Sequence, residues 1–198
     1  MKKTIGIICI IAGIAMVFLS IYLIGKNYYV EYNAGKSIDN VIPKLEEKIG
    51  SADVGTDTLA DVEETIVDGH VYIGILKVPS QNLELPIIKE WNYDNLEIAP
   101  CRFTGSYKSK DLVIAGHNYK RHFSKLKNLQ KGDEIIFVAA NGKDYIYRVS
   151  LVEVLEPKQV EYLINKEKEN EWDLSLFTCT KSGAGRYVVR CIETNSVE

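Results

Sequence analysis

Short runs of β-branched and other apolar residues, separated by turn-forming residues, dominate the chain from residue 69 onward. Asn141 and Gly142 stand between two such runs and indicate a tight hairpin. In this part of the chain, helical spacing of apolar residues is limited to residues 123–129 and 159–168. Seven or eight short strands separated by turns predict a mainly β fold with a closed or nearly closed barrel. Strands are expected at residues 70–78, 83–88, 111–115, 134–140, 144–154, 173–178 and 186–193.

The N-terminus has a different pattern, an apolar run over residues 5–25. A helix of this length crosses a bilayer whose hydrocarbon core is about 30 Å thick. Because Lys2 and Lys3 precede the run, the positive-inside rule leaves the N-terminus in the cytoplasm. A cleaved signal peptide is the alternative, but the run exceeds the usual apolar region of about 7–15 residues and no clear cleavage site follows. We expect an uncleaved single-pass anchor in the cell membrane, with the rest of the chain extracellular.

The residues between this anchor and the first expected strand are more polar. Residues 37–49 place apolar residues close to helical spacing, and Pro43 is expected to start or break that helix. Residues 50–68 are acidic and rich in Gly, Thr and Asp, which is typical of a partly disordered tether. The sequence therefore predicts three parts: the cytoplasmic tip and membrane anchor at 1–25, an extracellular helix and tether at 26–68, and the β-barrel at 69–198.

Composition narrows the classes of partner and of chemistry. A net charge of −3 and a pI near 5.7 argue against a nucleic-acid-binding protein, which needs a basic face. Cys9 lies in the predicted span, and the other three cysteines are an odd number, so at least one thiol is free unless it pairs between chains. A disulfide between Cys101 and Cys191 stays open as an alternative. No cysteine or histidine spacing suits zinc, so neither a metal site nor a cofactor is expected.

The strongest chemical signal is a cysteine, a histidine and an arginine placed at the ends of expected strands. Cys179 closes one strand and opens the turn at residues 180–185, where solvent can reach its side chain. Arg186 begins the next strand, and His117 follows an apolar strand and Gly116. Together the three supply a nucleophile, a proton shuttle and a cation for a developing oxyanion, which are the parts that covalent acyl transfer needs.

Each of these residues also has a simpler interpretation. A cysteine at a strand end is usually a small core residue, and a loop histidine is often only a hydrogen-bonding group. The predicted extracellular setting favours a function for Cys179, because an unpaired thiol is a liability there. His70 and His122 are expected at the surface. Arg190 shares a strand face with Arg186, and a surface ion pair is expected for it.

These motifs resemble those of the sortases, the membrane-anchored cysteine transpeptidases of Gram-positive bacteria. The pentapeptide SLFTC at residues 175–179 resembles the TLxTC signature of that family, with serine in place of the first threonine. His117 and Arg186 correspond in order and spacing to its histidine and arginine, and residues 72–79 resemble its first barrel strand. The resemblance covers residues 69–193 and implies a sortase-like closed β-barrel of seven to eight strands with short helices, behind an N-terminal transmembrane helix.

The resemblance also implies an activity. Cys179 would attack the Thr–Gly carbonyl of an LPxTG-like sorting signal, and His117 would protonate the leaving amine. Arg186 would stabilise the oxyanion or position the peptide, and Thr178 is assigned to substrate binding because the backbone there can add a donor. The implied partners are surface proteins that carry sorting signals, a peptidoglycan precursor or other amine acceptor, and the membrane, but no nucleic acid.

The lengths of the connecting segments bear on the subclass of sortase. The stretch between residues 154 and 172 has no room for the long inserted helix of some sortases, and no long lid precedes the barrel, although residues 50–68 can cover the groove. A class A-like or class D-like enzyme is therefore favoured.

Two alternatives of other kinds stay open. An extracellular cysteine peptidase or hydrolase, or an L,D-transpeptidase, would share the nucleophile, although the Ser-His-Gly-Cys cluster typical of the latter does not occur. A non-enzymatic, membrane-tethered β-domain that binds the wall is the other alternative, and it would keep its function in a Cys179→Ala variant.

Overall fold

The computed structural model combines one long N-terminal helix with a closed β-barrel, and it describes residues 2–51, 61–156, 158–159, 161–164 and 171–194. The helices are α1 (Lys2–Gly50), α2 (Tyr93–Ile98) and α3 (Glu161–Ile164), with 3-10 helices at Pro79–Gln81 and Phe123–Asn128. The strands are β1 (Thr65–Val67), β2 (His70–Val78), β3 (Leu83–Ile88), β4 (Cys101–Thr104), β5 (Leu112–Ala115), β6 (Glu134–Ala139), β7 (Asp144–Leu155), β8 (Leu174–Cys179) and β9 (Arg186–Glu193).

Eight of these strands close the barrel. Their order is β2-β3-β4-β5-β8-β9-β7-β6, and β6 pairs back onto β2 through Ile75 and Val138. β1 pairs with the start of β2, on the same side of β2 as β6, and its Ile66 is opposite Val71. The β3–β4 and β5–β8 neighbours are parallel, and the others are antiparallel. The mainly β fold and the closed barrel predicted from the sequence are confirmed.

Two apolar clusters hold the helix and the barrel together. The barrel interior is filled by alternate strand residues, as the pleat of a strand requires. A second cluster lies outside the barrel, where the buried stripe of α1 formed by Val41, Leu45 and Ile49 packs on Tyr72 and Ile75. The interior cluster includes Ile73, Leu76, Leu85, Leu112, Ile114, Phe123, Leu174, Leu176 and Val189.

Helix α1 continues from the apolar N-terminal run to Gly50, with Pro43 inside it. The predicted start or break at Pro43 is wrong. Val41 and Leu45 are buried on either side of the proline, and their packing offsets the hydrogen bond that proline cannot donate. Among the described residues, this is the one helix long and apolar enough to cross a membrane, and its apolar side chains in that part are exposed.

The structure differs from the sequence prediction in three further segments. β1 lies inside the predicted tether, and Val62 and Glu63 before it are buried, so the barrel edge starts before residue 69. Residues 52–60 of the tether lie outside the described residues. The sequence pattern predicts neither β4 nor α2, because segments of four and six residues are too short to show a period. α3 lies within the predicted helix 159–168, whose residues 165–170 are again outside the described part.

Candidate active site

Three neighbouring strands bring His117, Cys179 and Arg186 together. Cys179 ends β8 and is paired directly with Arg186, the first residue of β9. β5 runs parallel to β8 on its other side, where the Gly116 N–H donates to the Phe177 carbonyl at 3.1 Å. Two residues after the end of β5, the chain reaches His117, which is level with Cys179. Because neighbouring strands lie about 4.8 Å apart, Cys179 has His117 beside it on one side and Arg186 on the other.

The three side chains project from the outer face of the barrel. In β8, Leu176 belongs to the interior cluster, whereas Phe177 packs in a different cluster outside the barrel. Since side chains alternate along a strand, Cys179 shares the outer face with Phe177. Its cross-strand partner Arg186 and the level residue His117 lie on that face too. All three are half-buried, so solvent and a substrate can reach them.

An apolar floor continues from the thiol along this outer face. Phe177 packs with Leu155 of β7 and Val188 of β9. On its other side, the Phe177 ring meets Phe103 edge-on with centroids 5.3 Å apart, and Phe103 meets Trp91 at 5.5 Å. Such an apolar surface suits an extended peptide, whose alternate apolar side chains would pack on it.

The imidazole of His117 is supported by an aromatic ring and by the backbone of its own loop. It stacks on Tyr119 with centroids 4.7 Å apart, and the His117 carbonyl accepts from the Phe123 N–H at 3.0 Å. Burial lowers the pKa of His117 below its ordinary value of 6.5, and Glu97 of α2 opposes this shift. A neutral imidazole therefore predominates at neutral pH, and an anion beside it is needed to stabilise the imidazolium.

The guanidinium of Arg186 is oriented by the turn between β8 and β9. Its Nη1 donates to the Gly185 carbonyl at 3.0 Å and to the Gly183 carbonyl at 3.4 Å. Gly183 has φ 72°, in the left-handed region that favours glycine. Thr180 closes the turn, because its N–H donates to the Gly185 carbonyl at 2.9 Å. The turn thus holds the arginine beside Cys179.

Of the three cysteines whose side chains are described, Cys179 is the accessible one. Cys101 and Cys191 are buried, and all three are unpaired. Burial raises the pKa of Cys101 to about 12 and raises the pKa of Cys191 further, so both remain thiols. Thr178 points the other way, into the barrel, and its Oγ1 has no hydrogen-bond partner among the described residues. Only its backbone lies beside the thiol.

His122 is buried, and its predicted surface position is wrong. Its ring lies behind Tyr119, with centroids 5.3 Å apart, and is fully shielded from solvent. Burial and, to a smaller extent, the nearby His117 lower the pKa of His122 to about 3, against the opposing effect of the Ile98 backbone. The prediction assigned His122 to the surface because basic residues surround it. The neighbouring Lys120 and Arg121 are exposed, whereas the His122 ring turns inward beneath the loop.

Arg190 also departs from its predicted surface position, since only 4% of it is exposed. It donates to the Ser175 hydroxyl at 2.9 Å and pairs with Glu153 at 3.4 Å. Its guanidinium lies over the Trp172 ring, 4.8 Å from the centroid, and contacts the Tyr162 carbonyl of α3. Arg190 and Arg186 lie on the same face of β9, as predicted. At Arg190, however, the segment after β7 covers that face.

Several residues that shape the site carry no clear signal in the sequence. Glu97 lies on the short helix α2, and Phe177 is one apolar residue among many in its strand. Tyr119 is detectable only as an aromatic residue close to His117. No cluster of three or more His, Cys, Asp or Glu side chains suited to a metal occurs in the described part of the chain.

Comparison with known proteins gives the family. The family model described as Sortase domain matches residues 76–194, which is more than half of the chain. The chain belongs to the sortase family. Sortase A of Bacillus anthracis is 30% identical to this sortase over 183 residues, covering 84% of this chain and 85% of that protein. Sortases are cysteine transpeptidases, so this sortase is an enzyme of that class.

Solved structures of sortases share the fold. Streptococcus pneumoniae sortase C matches with a TM-score of 0.62 and 19% identity, covering 79% of this sortase and 97% of that chain. Clostridium perfringens sortase C, solved with the C-terminal cell wall sorting motif, matches with a TM-score of 0.55 and 20% identity, covering 81% and 91%. At these identities the two structures establish the common barrel and nothing further.

Proposed function

We propose that this sortase cleaves an LPxTG-like sorting signal between threonine and glycine and transfers the protein to a cell-wall amine. The observation that supports this most strongly is that His117, just after β5, lies level with Cys179 at the end of β8, which is paired with Arg186 at the start of β9. Nucleophile, proton shuttle and cation then converge on one reacting carbonyl.

In the first half-reaction, the thiolate of Cys179 attacks the threonine carbonyl. The Arg186 guanidinium stabilises the oxyanion of the tetrahedral intermediate or orients the peptide, since it offers a rigid fork of N–H donors. The C–N bond breaks, and His117 as imidazolium gives its proton to the glycine amine that leaves. The threonine acyl group remains on the sulfur as a thioester.

In the second half-reaction, an amine of a peptidoglycan precursor attacks the thioester. His117 is now neutral and accepts the proton of the attacking amine, and the sulfur leaves as thiolate. The new amide joins the surface protein to the wall precursor, and the starting ion pair of thiolate and imidazolium is restored.

The sorting signal would lie along the apolar floor beside the thiol. The half-buried rings of Phe177 and Phe103, with the exposed Trp91, would provide a surface for the apolar residues that precede the threonine. Buried Leu155 and Val188 pack against Phe177 from within the protein. The backbone at Thr178 would add a polar contact at the reacting end, since its side chain points into the barrel. The segment between β7 and β8 is short, which is compatible with a class A-like or class D-like specificity.

The apolar part of α1 would anchor the enzyme in the cell membrane. Lys2 and Lys3 lie before it and would keep the N-terminus in the cytoplasm, so the barrel would be extracellular. Surface proteins on their way to the wall and wall precursors are both found at that face of the membrane, where the enzyme would meet its two substrates.

Mass spectrometry of the enzyme after incubation with sorting-signal peptides tests this proposal. We expect a thioacyl adduct on Cys179, which forms with LPxTG-like peptides, is absent in Cys179→Ala, and is released as an amide when an amine acceptor is added. Cys191→Ala is the matched control, because that thiol is buried and should not affect adduct formation.

Other outcomes of the same experiment would favour the alternatives. Release of free acid at equal rates with and without the amine would indicate a peptidase. The absence of any adduct across a panel of signals, together with unchanged wall attachment in Cys179→Ala cells, would indicate a binding domain and overturn the proposal.

A further inference from the structure

The part of α1 beyond the membrane lies directly against the loop that carries His117. We call residues 116–122 the histidine loop. Glu31 accepts a hydrogen bond from the Lys120 backbone N–H at 2.8 Å, although 89 positions separate the two residues. Asp39 pairs with Arg121 one residue further along the loop. The anchor helix therefore contacts the loop through two charged groups.

These contacts form one stripe along the helix. Glu31, Gly35 and Asp39 follow at intervals of four residues and so share a face of α1. Gly35 lets the helix approach closely, since a Cβ at this position would lie 3.0 Å from the Arg121 Cγ. This stripe differs from the apolar face of α1 that packs on the barrel. The apolar face starts at Ala34, next to Gly35.

The bond made by Glu31 constrains the backbone of the loop rather than a flexible side chain. A carboxylate that accepts from an amide N–H forms a charge-assisted bond, stronger than one between neutral groups. Lys120 directly follows Tyr119, whose ring stacks on the His117 imidazole. A bond that holds the Lys120 backbone therefore also restrains the preceding residue, Tyr119, whose ring supports the imidazole.

Charges from several elements surround this part of the loop. Burial raises the pKa of Tyr119, and the carboxylates of Glu97 and Glu31 raise it further. Glu97 of α2 also acts on His117, and His122 lies beneath the loop. Cys179 is level with His117 on the neighbouring strand and Arg186 is paired with Cys179, while Lys120 and Arg121 belong to the loop itself.

We propose that Glu31 is a positioning residue for His117, through which the membrane anchor holds the histidine loop level with Cys179. The inference rests on the proposed role of His117. Glu31 lies six residues beyond Gly25 on a continuous helix, a rise of about 9 Å, so the anchor fixes the loop at a set height above the membrane. The anchor is then part of the catalytic scaffold as well as a tether.

The test uses the full-length enzyme in detergent micelles and three variants. Glu31→Ala removes the acceptor, Glu31→Gln keeps an acceptor oxygen without the charge, and Glu47→Ala removes an exposed carboxylate from the same helix far from the loop. We expect kcat for thioacyl formation to fall about 10-fold in Glu31→Ala with KM little changed, because a small misplacement of a catalytic group has a large effect. The kcat of Glu31→Gln should fall less, and the kcat of Glu47→Ala should match that of the wild type.

A second readout does not depend on activity. The chain has three histidines, so the imidazole signals are readily assigned by NMR with a His117→Gln reference. Glu31→Ala should shift the His117 signal, whereas Glu47→Ala should not. An unchanged signal with unchanged kcat would overturn the proposal, and Glu31→Gln provides the same test should the alanine variant fold poorly. A shifted signal with full activity would support the positioning contact and count against the catalytic role of His117 instead.

Discussion

The His117 imidazole stacks on the Tyr119 ring with centroids 4.7 Å apart and planes inclined by 30°. The phenol ring covers one face of the imidazole and keeps water from it. Burial is also the main reason why the pKa of His117 is below its ordinary value. One contact therefore affects both the position and the protonation of the proposed acid and base.

Removing the Tyr119 ring should weaken catalysis. Tyr119→Ala is expected to lower kcat about 10-fold, since the imidazole loses its support, while Tyr119→Phe keeps the ring and should stay close to wild type. Water would reach the imidazole in the alanine variant, so the pKa of His117 should rise toward 6.5. NMR titration and thioacyl kinetics measure both effects, with the exposed Tyr93→Ala as control. Wild-type values in Tyr119→Ala would show that the stack is incidental.

Glu97 should control the acidic limb of the pH profile. Its carboxylate raises the pKa of His117 against the effect of burial, so Glu97→Gln should lower that pKa further. Because the active form pairs an imidazolium with a thiolate, the acidic limb of kcat/KM should move to lower pH by a few tenths of a unit, and the maximum should fall about two-fold. Glu90→Gln, exposed before α2, is the control. An acidic limb that stays in place would contradict this assignment.

Replacing the fork of Arg186 should reduce the rate of acylation far more than peptide binding. Arg186→Lys keeps the charge but loses the fixed donor geometry, and loss of an oxyanion donor lowers kcat about 10²–10³-fold. Single-turnover thioacyl formation is the appropriate measurement. Arg148→Lys alters an exposed arginine of β7 that pairs with Glu134 and should have no effect. Equal rates in the two variants would remove Arg186 from the mechanism.

The serine that opens the SLFTC pentapeptide should contribute to stability rather than to chemistry. Ser175 accepts a hydrogen bond from buried Arg190 at 2.9 Å, so Ser175→Ala takes one partner from a buried cation and should cost about 1–3 kcal/mol. Ser175→Thr keeps the hydroxyl and should cost less. Urea unfolding compares both with the exposed Ser80→Ala. A Ser175→Ala variant as stable as the wild type would show that the hydrogen bond does not matter here.

His122 should make the fold sensitive to acid. Its pKa is about 3 in the folded protein, against an ordinary value of 6.5, so the unfolded chain binds a proton that the folded chain refuses. Stability should therefore fall as the pH drops from 6.5 toward 3, by up to about 1.4 kcal/mol per pH unit. In His122→Phe the free energy of unfolding should depend less steeply on pH than in the wild type. Parallel slopes in the two proteins would rule out this contribution.

Local pattern was sufficient for seven of the nine described strands and for nominating the three residues proposed to act in catalysis. Apolar runs of strand length, the Asn141–Gly142 turn and the residues at the strand ends are all contained in adjacent sequence. Strand periodicity also placed Arg186 and Arg190 on one face, because alternation is a property of the strand itself. The register that sets His117 level with Cys179 follows from a parallel pairing over about sixty residues, which no local pattern contains.

What only the tertiary structure decided is what surrounds those residues. His122 and Arg190 are polar residues in polar or alternating stretches, and they are buried because a loop and the segment after β7 fold over them. Glu31 reaches Lys120 only because α1 runs unbroken through Pro43 and packs on the barrel. The sequence determines which chemistry this protein carries, since residue type and strand period are local. Burial, and with it the pKa of each histidine, depends on contacts between distant segments and arises only when the chain is folded.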